Sequence, residues 1–499
     1  MIHHQRTLPT ALLMAIFIVT SFQFTSCGQK NTEERVATTS KSDKIAELVS
    51  LYTDYEGFNG SILVAHEGEI IYKNGFGFAD MEWDVPNTSD TKFRIASITK
   101  PFTSTLIMQL VAVGTLDLHT PIAAYLPNYP RKNAEQITIH HLLTHTSGTV
   151  RDYDDNIPIN KYPDRQRPER LVEEFSGLNL EFTPGEKFAY SNSGYMVLGY
   201  IIETVTGQPY ETVLQEKILT PLGMENTGVD KRRTLLKHRA NGYFKGFGDY
   251  FNSDYVDMSN IPAVGNIYST VEDMFLFDQA LYTETLMSQK YIDLLFTKYI
   301  PDSNYGGHHG YGWELKDKLI GNTADRIATI GHSGSLNGFC ALFTRMPETK
   351  SSIILLNNTR RAYLNAITTA VTGILNDTTY DFPRKPLAKF MSEVIAKEGI
   401  EKGIQFYKAH QDDADYSISE TKLIVAGYRY LHAGNAKDAA EVFKLSIDVF
   451  PDKDNPYDSY AEALMTLGKN EEAIKNYKKS LVLNPNNNNA VEMLKKLQQ

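Results

Sequence analysis

Two groups of strand-like segments, about 250 residues apart, limit the fold of this chain more than any other feature. Ser61–His66 and Glu69–Phe76 flank the turn Glu67-Gly68, while Ile327–His332, Phe339–Arg345 and Ser351–Asn357 follow far downstream. Strands at both ends of one domain most simply join a single antiparallel sheet. Everything between them is then an excursion from that sheet, rich in helix and loop. The excursion includes Pro101–Val113, which has no clear polar face and reads as a buried helix. A helix carrying Ile45, Leu48, Val49, Leu51 and Tyr52 precedes the first strands, and another over Ala362–Leu375 follows the last. The expected class is α+β: an antiparallel sheet flanked by helices, with a helical subdomain, over residues 44–380.

After Asp381-Phe382-Pro383-Arg384-Lys385-Pro386 the pattern changes to helix pairs. Gly434, Ala439, Phe443, Ser446 and Pro451 recur as Gly468, Ala473, Tyr477, Ser480 and Pro485, each displaced by 34 residues. This spacing resembles the tetratricopeptide (TPR) repeat, in which small residues let two helices approach and proline ends the second. The reading is a linker over 381–395 and an all-α TPR-like domain over 396–499, with degenerate helices near Glu398–Ala409 and Asn489–Leu497. Such helix pairs imply a protein partner.

The chain begins with Arg6, the apolar run Ala11–Val19 and the small residues before Cys27, the layout of a signal peptide over 1–26. The apolar run is about half of what a membrane span requires. Phe24-Thr25-Ser26-Cys27 resembles the lipobox of bacterial lipoproteins, with Phe24 in place of the usual Leu. That resemblance implies lipidation of Cys27, a polar tether over 27–43 and an envelope location after secretion. With 50 Lys plus Arg against 60 Asp plus Glu, the net charge of -10 lacks the electrostatic footprint of a nucleic-acid binder. Two cysteines, one of them behind the leader, supply neither a disulfide framework nor a thiolate metal site.

Three short patterns occur in order: Ser97-Ile98-Thr99-Lys100, Tyr190-Ser191-Asn192 and His332-Ser333-Gly334. Each alone is weak, because Ser-x-x-Lys, Tyr-x-Asn and His-x-Gly all recur elsewhere in the chain. Bland readings stand beside each: a helix N-cap with a snorkelling lysine, turn chemistry after Thr183-Pro184-Gly185, and a satisfied strand histidine. The position of Ser97 weighs against them. It stands where the strand-like Thr91–Ile95 meets the buried helix, with Lys100 one turn later on the same face, which suits a nucleophile beside a proton acceptor.

In this order the patterns resemble the serine β-lactamase-like superfamily of class C β-lactamases, DD-carboxypeptidases, D-aminopeptidases and related esterases. His141-Leu142-Leu143-Thr144-His145-Thr146-Ser147-Gly148 and Tyr268-Ser269-Thr270 with Asp273 strengthen the likeness. The resemblance covers residues 45–375. It implies Ser97 as nucleophile, Lys100 or Tyr190 as base, Asn192 as a substrate or side-chain partner, and the backbone N–H groups of Ser97 and Ser335 as oxyanion donors. It implies substrate contacts along His332, Gly334 and Ser335, a small-molecule or peptide substrate, and no cofactor or metal. β-Lactamases of this kind usually carry lysine at the place of His332; a histidine, neutral at pH 7 and titrating near 6.5, shifts the expectation toward peptidases and esterases and toward a rate profile in the imidazole range. A catalytically inactive binding protein is the alternative of another class. His140, His141 and His145 lack a carboxylate or thiolate companion for a metal. Asp152, Asp154 and Asp155 read as a solvated loop, and Cys340 as a small buried hydrophobe.

Overall fold

The computed structural model describes residues 40–150, 166–246, 250–302, 306–360 and 362–498. Cys27, the apolar leader and Asp152, Asp154 and Asp155 lie outside them. Four helices and six strands set the site: α1 (Lys41–Asp54), α2 (Thr99–Ala112), α3 (Asn192–Thr206) and α4 (Leu364–Leu375), with β1 (Gly60–His66), β2 (Glu69–Phe76), β3 (Glu314–Leu319), β4 (Arg326–Leu336), β5 (Phe339–Met346) and β6 (Ser351–Asn357). Two short strands, Ile300–Pro301 and His308–His309, precede β3 in an eight-stranded antiparallel sheet of order Ile300–Pro301, His308–His309, β3, β4, β5, β6, β1, β2. β1 closes the sheet between the two distant groups: Ile62 stands opposite Leu355 and Val64 opposite Ile353.

Alternate residues of this sheet feed two cores. Ile62, Val64, Leu342, Ile353 and Leu355 pack with Leu48 and Val49 of α1 and Ile367 and Val371 of α4. Leu63, Ala65, Phe343, Ile354 and Leu356 face the larger core, which takes in Phe102 and Leu106 of α2 and Tyr195 and Leu198 of α3. β1 and β6 are thus covered on both faces, which is why they read as continuous apolar runs. Ser40 starts α1 with a capping box: its hydroxyl accepts from the Asp43 N–H while the Asp43 carboxylate accepts from the Ser40 N–H. α2 is buried from Thr99 to Met108, earlier than the Pro101–Val113 expected, and its last turn emerges into solvent.

Beyond the sheet, α5 (Leu387–Glu398) occupies most of the stretch read as linker and packs with α6 (Ile400–His410). Helices α7 (Glu420–His432) and α8 (Ala436–Val449), then α9 (Asp454–Thr466) and α10 (Asn470–Leu483), form two pairs in the 34-residue register, and α11 (Asn488–Leu497) follows. Gly434 and Gly468 hold equivalent positive φ angles of 80° and 74° in the turn inside each pair, where a Cβ would be strained. Phe390 of α5 lies edge-on to Tyr55, and the Lys422 ammonium of α7 sits 5.8 Å from the centre of the Tyr363 ring. No helix among the described residues is long and apolar enough to cross a membrane.

Candidate active site

Ser97 sits in a single 3-10 turn, Ala96–Ile98, that runs straight into α2. The turn is held from two sides. The Ile95 N–H donates to the Ile267 carbonyl at 3.0 Å, and the Ile267 N–H donates to the Thr99 hydroxyl at 3.3 Å. Ala96 carries φ +48°, a strained value for a residue with a Cβ, immediately before the serine. Strand β4 presses on the same spot: a Cβ on Gly334 would overlap the Ile95 carbonyl oxygen. The glycine of His332-Ser333-Gly334 is therefore a close-approach residue, which lets β4 and the serine turn share one wall.

Lys100 is fully buried one turn after Ser97. Its ammonium nitrogen lies 3.2 Å from Ser97 Oγ, 2.8 Å from Asn192 Oδ1 and 3.4 Å from the Val264 carbonyl, and 4.8 Å from the centre of the Tyr190 ring. Asn192 opens α3, capped by Ser191, whose hydroxyl accepts from the Gly194 N–H. Behind Tyr190 the His145 ring stacks at 4.4 Å, and its Nδ1 accepts from the Ser191 N–H. That bond leaves the imidazole proton on Nε2, buried with no hydrogen-bond partner among the described residues. Burial, with His309 and Lys100 nearby, pushes His145 well below the usual imidazole range, so it stays neutral. Thus His145 carries the Tyr190-Ser191-Asn192 segment rather than reaching substrate.

His332 is buried on β4, with its ring centre 6.3 Å from that of Tyr190. Its Nδ1 lies 2.6 Å from the Ser333 carbonyl, which can only accept; Nδ1 therefore bears the proton and Nε2 offers a lone pair. Burial pushes its pKa down to about 4, against the opposing pull of Glu314. Burial alone would raise the Glu314 carboxyl, but His332 and Lys316, the latter 2.7 Å away, hold it below the ordinary range. Ser333 Oγ donates to Glu314 at 3.3 Å, and Ser335 is exposed.

The strand register opens an edge here. β3 pairs with β4 only as far as Glu314 opposite Gly331, whereas β5 pairs with β4 through Leu336 opposite Phe339. Residues 332–336 consequently have one side free. Counting back from the two-residue turn at Asn337-Gly338, the N–H and C=O of Ser333 and Ser335 point away from β5, toward Ser97 and the open cleft. The cleft has a volume of about 910 Å³ and also takes in Tyr190, Phe188, His309 and Lys316.

Of the residues expected from the sequence, Ser97, Tyr190, His332 and Ser335 line the cleft, Lys100 contacts both Ser97 and Asn192, and Gly334 abuts the serine turn. Glu314, Lys316 and the buried pair His309–Asp302, whose Nε2 and Oδ2 are 3.1 Å apart, belong to no motif of the sequence. Their one signal was polarity recurring every second residue at Glu314, Lys316 and Lys318. Tyr268-Ser269-Thr270 with Asp273 is scaffold: Thr270 caps a helix by accepting from the Asp273 N–H, and Asp273 accepts from the Asn226 N–H and the Thr227 hydroxyl. Cys340 is half-buried and donates to the Thr359 carbonyl at 3.2 Å, so it is less of a plain hydrophobe than its strand suggested.

Comparison with known proteins agrees with this architecture. The beta-lactamase family model matches residues 45–371. Penicillin-binding protein 4* of Bacillus subtilis is 31% identical over 375 residues, covering 70% of this chain and 80% of that one. The octameric penicillin-binding protein homologue of Pyrococcus abyssi superposes with a TM-score of 0.60 at 28% identity, over 71% of this chain and 81% of that one. The D-amino acid amidase of Ochrobactrum anthropi SV3, in complex with L-phenylalanine amide, does so with a TM-score of 0.57 at 28% identity, over 67% of this chain and 98% of that one. The matched span runs from α1 through the sheet, the Ser97 turn and β4 into α4, and the chain belongs to the beta-lactamase family of serine hydrolases.

Proposed function

We propose that this protein hydrolyses amide bonds of D-amino-acid-containing substrates through an acyl-enzyme on Ser97. The observation that carries the reading is the buried Lys100, in contact with both Ser97 Oγ and Asn192 Oδ1. The Asn192 side-chain oxygen and the Val264 carbonyl accept from Lys100, which holds its Nζ beside the serine hydroxyl. As Ser97 Oγ attacks the carbonyl carbon, its proton passes to Lys100 in the neutral amine form, directly or with Tyr190 as the relay, and the backbone N–H groups of Ser97 and Ser335 receive the oxyanion. Collapse breaks the C–N bond, and the departing amine takes the proton. Water then attacks the ester by the reverse route and frees the acid and Ser97.

The free edge of β4 suits an extended peptide-like substrate, which adds its own N–H and C=O groups to those of Ser333 and Ser335. His332, neutral and presenting a lone pair, favours a substrate N–H over a carboxylate. This supports amide or peptide substrates over β-lactams. The relatives named as penicillin-binding proteins support an envelope location, the lipobox-like Cys27 a lipid anchor, and the 34-residue helix pairs a TPR-like partner module.

Trapping followed by mass spectrometry tests the assignment. A panel of D-amino-acid amides, D-Ala-D-Ala peptides, p-nitrophenyl esters and nitrocefin should leave an acyl adduct on Ser97 that is absent in Ser97→Ala, with amides turned over faster than nitrocefin. An adduct persisting in Ser97→Ala overturns the nucleophile. Ester turnover without amide turnover makes the protein an esterase of the same fold.

A further inference from the structure

Thr103 stands one turn after Lys100 on α2, fully buried and outside the lining of the cleft. Its hydroxyl oxygen lies 2.6 Å from the Ala263 carbonyl, 2.8 Å from the Tyr210 hydroxyl and 3.3 Å from the Thr99 carbonyl. A hydroxyl has one proton to give, and the Ala263 carbonyl, its nearest pure acceptor, takes it. Tyr210 is then the donor in the other short contact. Burial pushes its phenol well above the usual range, so it keeps the proton that it donates. Tyr210 is pinned at its backbone as well, where its N–H donates to Glu203 Oε1 at 2.8 Å. The bonds run in one direction, from Tyr210 through Thr103 to Ala263.

The carbonyl at the end of this chain belongs to a strained residue. Ala263 carries φ +62°, a left-handed value that costs a residue with a Cβ and persists only where its surroundings impose it. It immediately precedes Val264, whose carbonyl accepts from Lys100 at 3.4 Å. The loop is closed in from behind: a Cβ on Gly199 of α3 would come 2.6 Å from that of Ala263, and the Ala263 N–H donates to Asn266 Oδ1 at 3.2 Å. With the Thr99 hydroxyl accepting from the Ile267 N–H, three residues of α2 grip one loop: Thr99, Lys100 and Thr103. A buried threonine in a helix can satisfy its hydroxyl on the carbonyl four residues back. Here that contact is the longest of the three, and the shortest leaves the helix for the strained loop.

We infer that Thr103, backed by Tyr210, is a positioning residue for Lys100: by holding the Ala263 carbonyl it fixes the next carbonyl, Val264, against the lysine. The inference rests on Lys100 being the base that takes the Ser97 proton. Neither Thr103 nor Tyr210 lines the cleft, so neither touches substrate. Lys100 has a long, flexible stem, and its Nζ stays 3.2 Å from Ser97 Oγ only while its other acceptors keep their places. Loss of the Thr103 hydroxyl therefore falls on proton transfer from the serine and leaves substrate binding along β4 as it was.

The test measures kcat and KM of the full chain on a p-nitrophenyl ester, with the rate of fluorophosphonate labelling at Ser97 and the melting temperature of each variant. Thr103→Val keeps the shape and removes the hydroxyl. It should lower kcat by about tenfold or more with KM within about twofold, and slow labelling by a similar factor. Thr103→Ser keeps the hydroxyl and should hold kcat within about threefold of the parent. Tyr210→Phe leaves Thr103 its acceptor and should cost about two- to fivefold in kcat. Parent-like kcat in folded Thr103→Val, a loss carried by KM instead of kcat, or a Thr103→Ser as impaired as Thr103→Val overturns the inference. Should Thr103→Val not fold, Tyr210→Phe decides: a lower kcat at parent KM supports the inference, and an unchanged kcat overturns it. Lys100→Ala is measured beside them. Undiminished turnover in that variant overturns the base assignment and this inference with it, whereas an inactive Lys100→Ala beside an unimpaired Thr103→Val overturns this inference alone.

Discussion

Gly334 shows how one missing Cβ joins two parts of the site. Its strand touches the Ile95 carbonyl and the Ala96 side chain, so Gly334→Ala must push β4 away from the serine turn. Overpacking of this kind costs about 1–3 kcal/mol, and here the displaced groups are backbone. The expected outcome is a lower melting temperature together with a kcat/KM reduced by at least tenfold, measured by calorimetry and ester turnover. His332 makes a pH prediction. Burial holds its folded-state pKa near 4, whereas the unfolded chain titrates it near 6.5. Between those values the unfolded chain binds more protons, so stability is complete above about 6.5 and declines as pH falls toward 4. His145, also depressed by burial, acts in the same direction. Melting temperatures across that window should fall less steeply in His332→Gln. The rate dependence expected in the ordinary imidazole range is correspondingly displaced toward the acid side, because the site has removed the water that would solvate the cation.

The helix Val271–Ala280 is fastened to the sheet by a buried pair, with the Arg345 guanidinium of β5 donating to the Asp278 carboxylate. Burial raises the Asp278 carboxyl and Arg345 opposes it. Removing one partner leaves the other charged and unpaired, so Asp278→Ala should cost about 3–5 kcal/mol in chemical denaturation, while replacing both by apolar residues should recover much of it. Neither residue signalled this pairing, since an arginine at one place and an aspartate 67 positions earlier have no periodicity in common. β1, β2, β5 and β6 were legible because their apolar runs and turns are local. β3 was missed: charges at Glu314, Lys316, Asp317 and Lys318 occupy both faces, and pairing with β4 makes it a strand.

The two cores beneath the active site lie entirely before residue 376, and the C-terminal helices bury their own apolar residues. A chain ending at Arg384 should therefore stay soluble and keep its kcat/KM within about twofold, leaving Tyr55 and Tyr363 uncovered; aggregation of that fragment would make the helices a structural part of the hydrolase. Cys27→Ser should abolish incorporation of a labelled fatty acid, read by mass spectrometry of the intact protein. The α+β class, the paired helices at a 34-residue spacing and the ordered triplet of Ser97-x-x-Lys100, Tyr190-x-Asn192 and His332-x-Gly334 were all present in the linear chain, because turn residues, periodicity and short motifs act over a few residues. The meeting of those motifs at one cleft came from sheet closure between β1 and β6. So did the neutral state and Nδ1 tautomer of His332, the His145 platform under Tyr190, and the Glu314–Lys316 pair. Each depends on burial and on contacts between residues far apart in the chain, and desolvation exists only once the fold has closed.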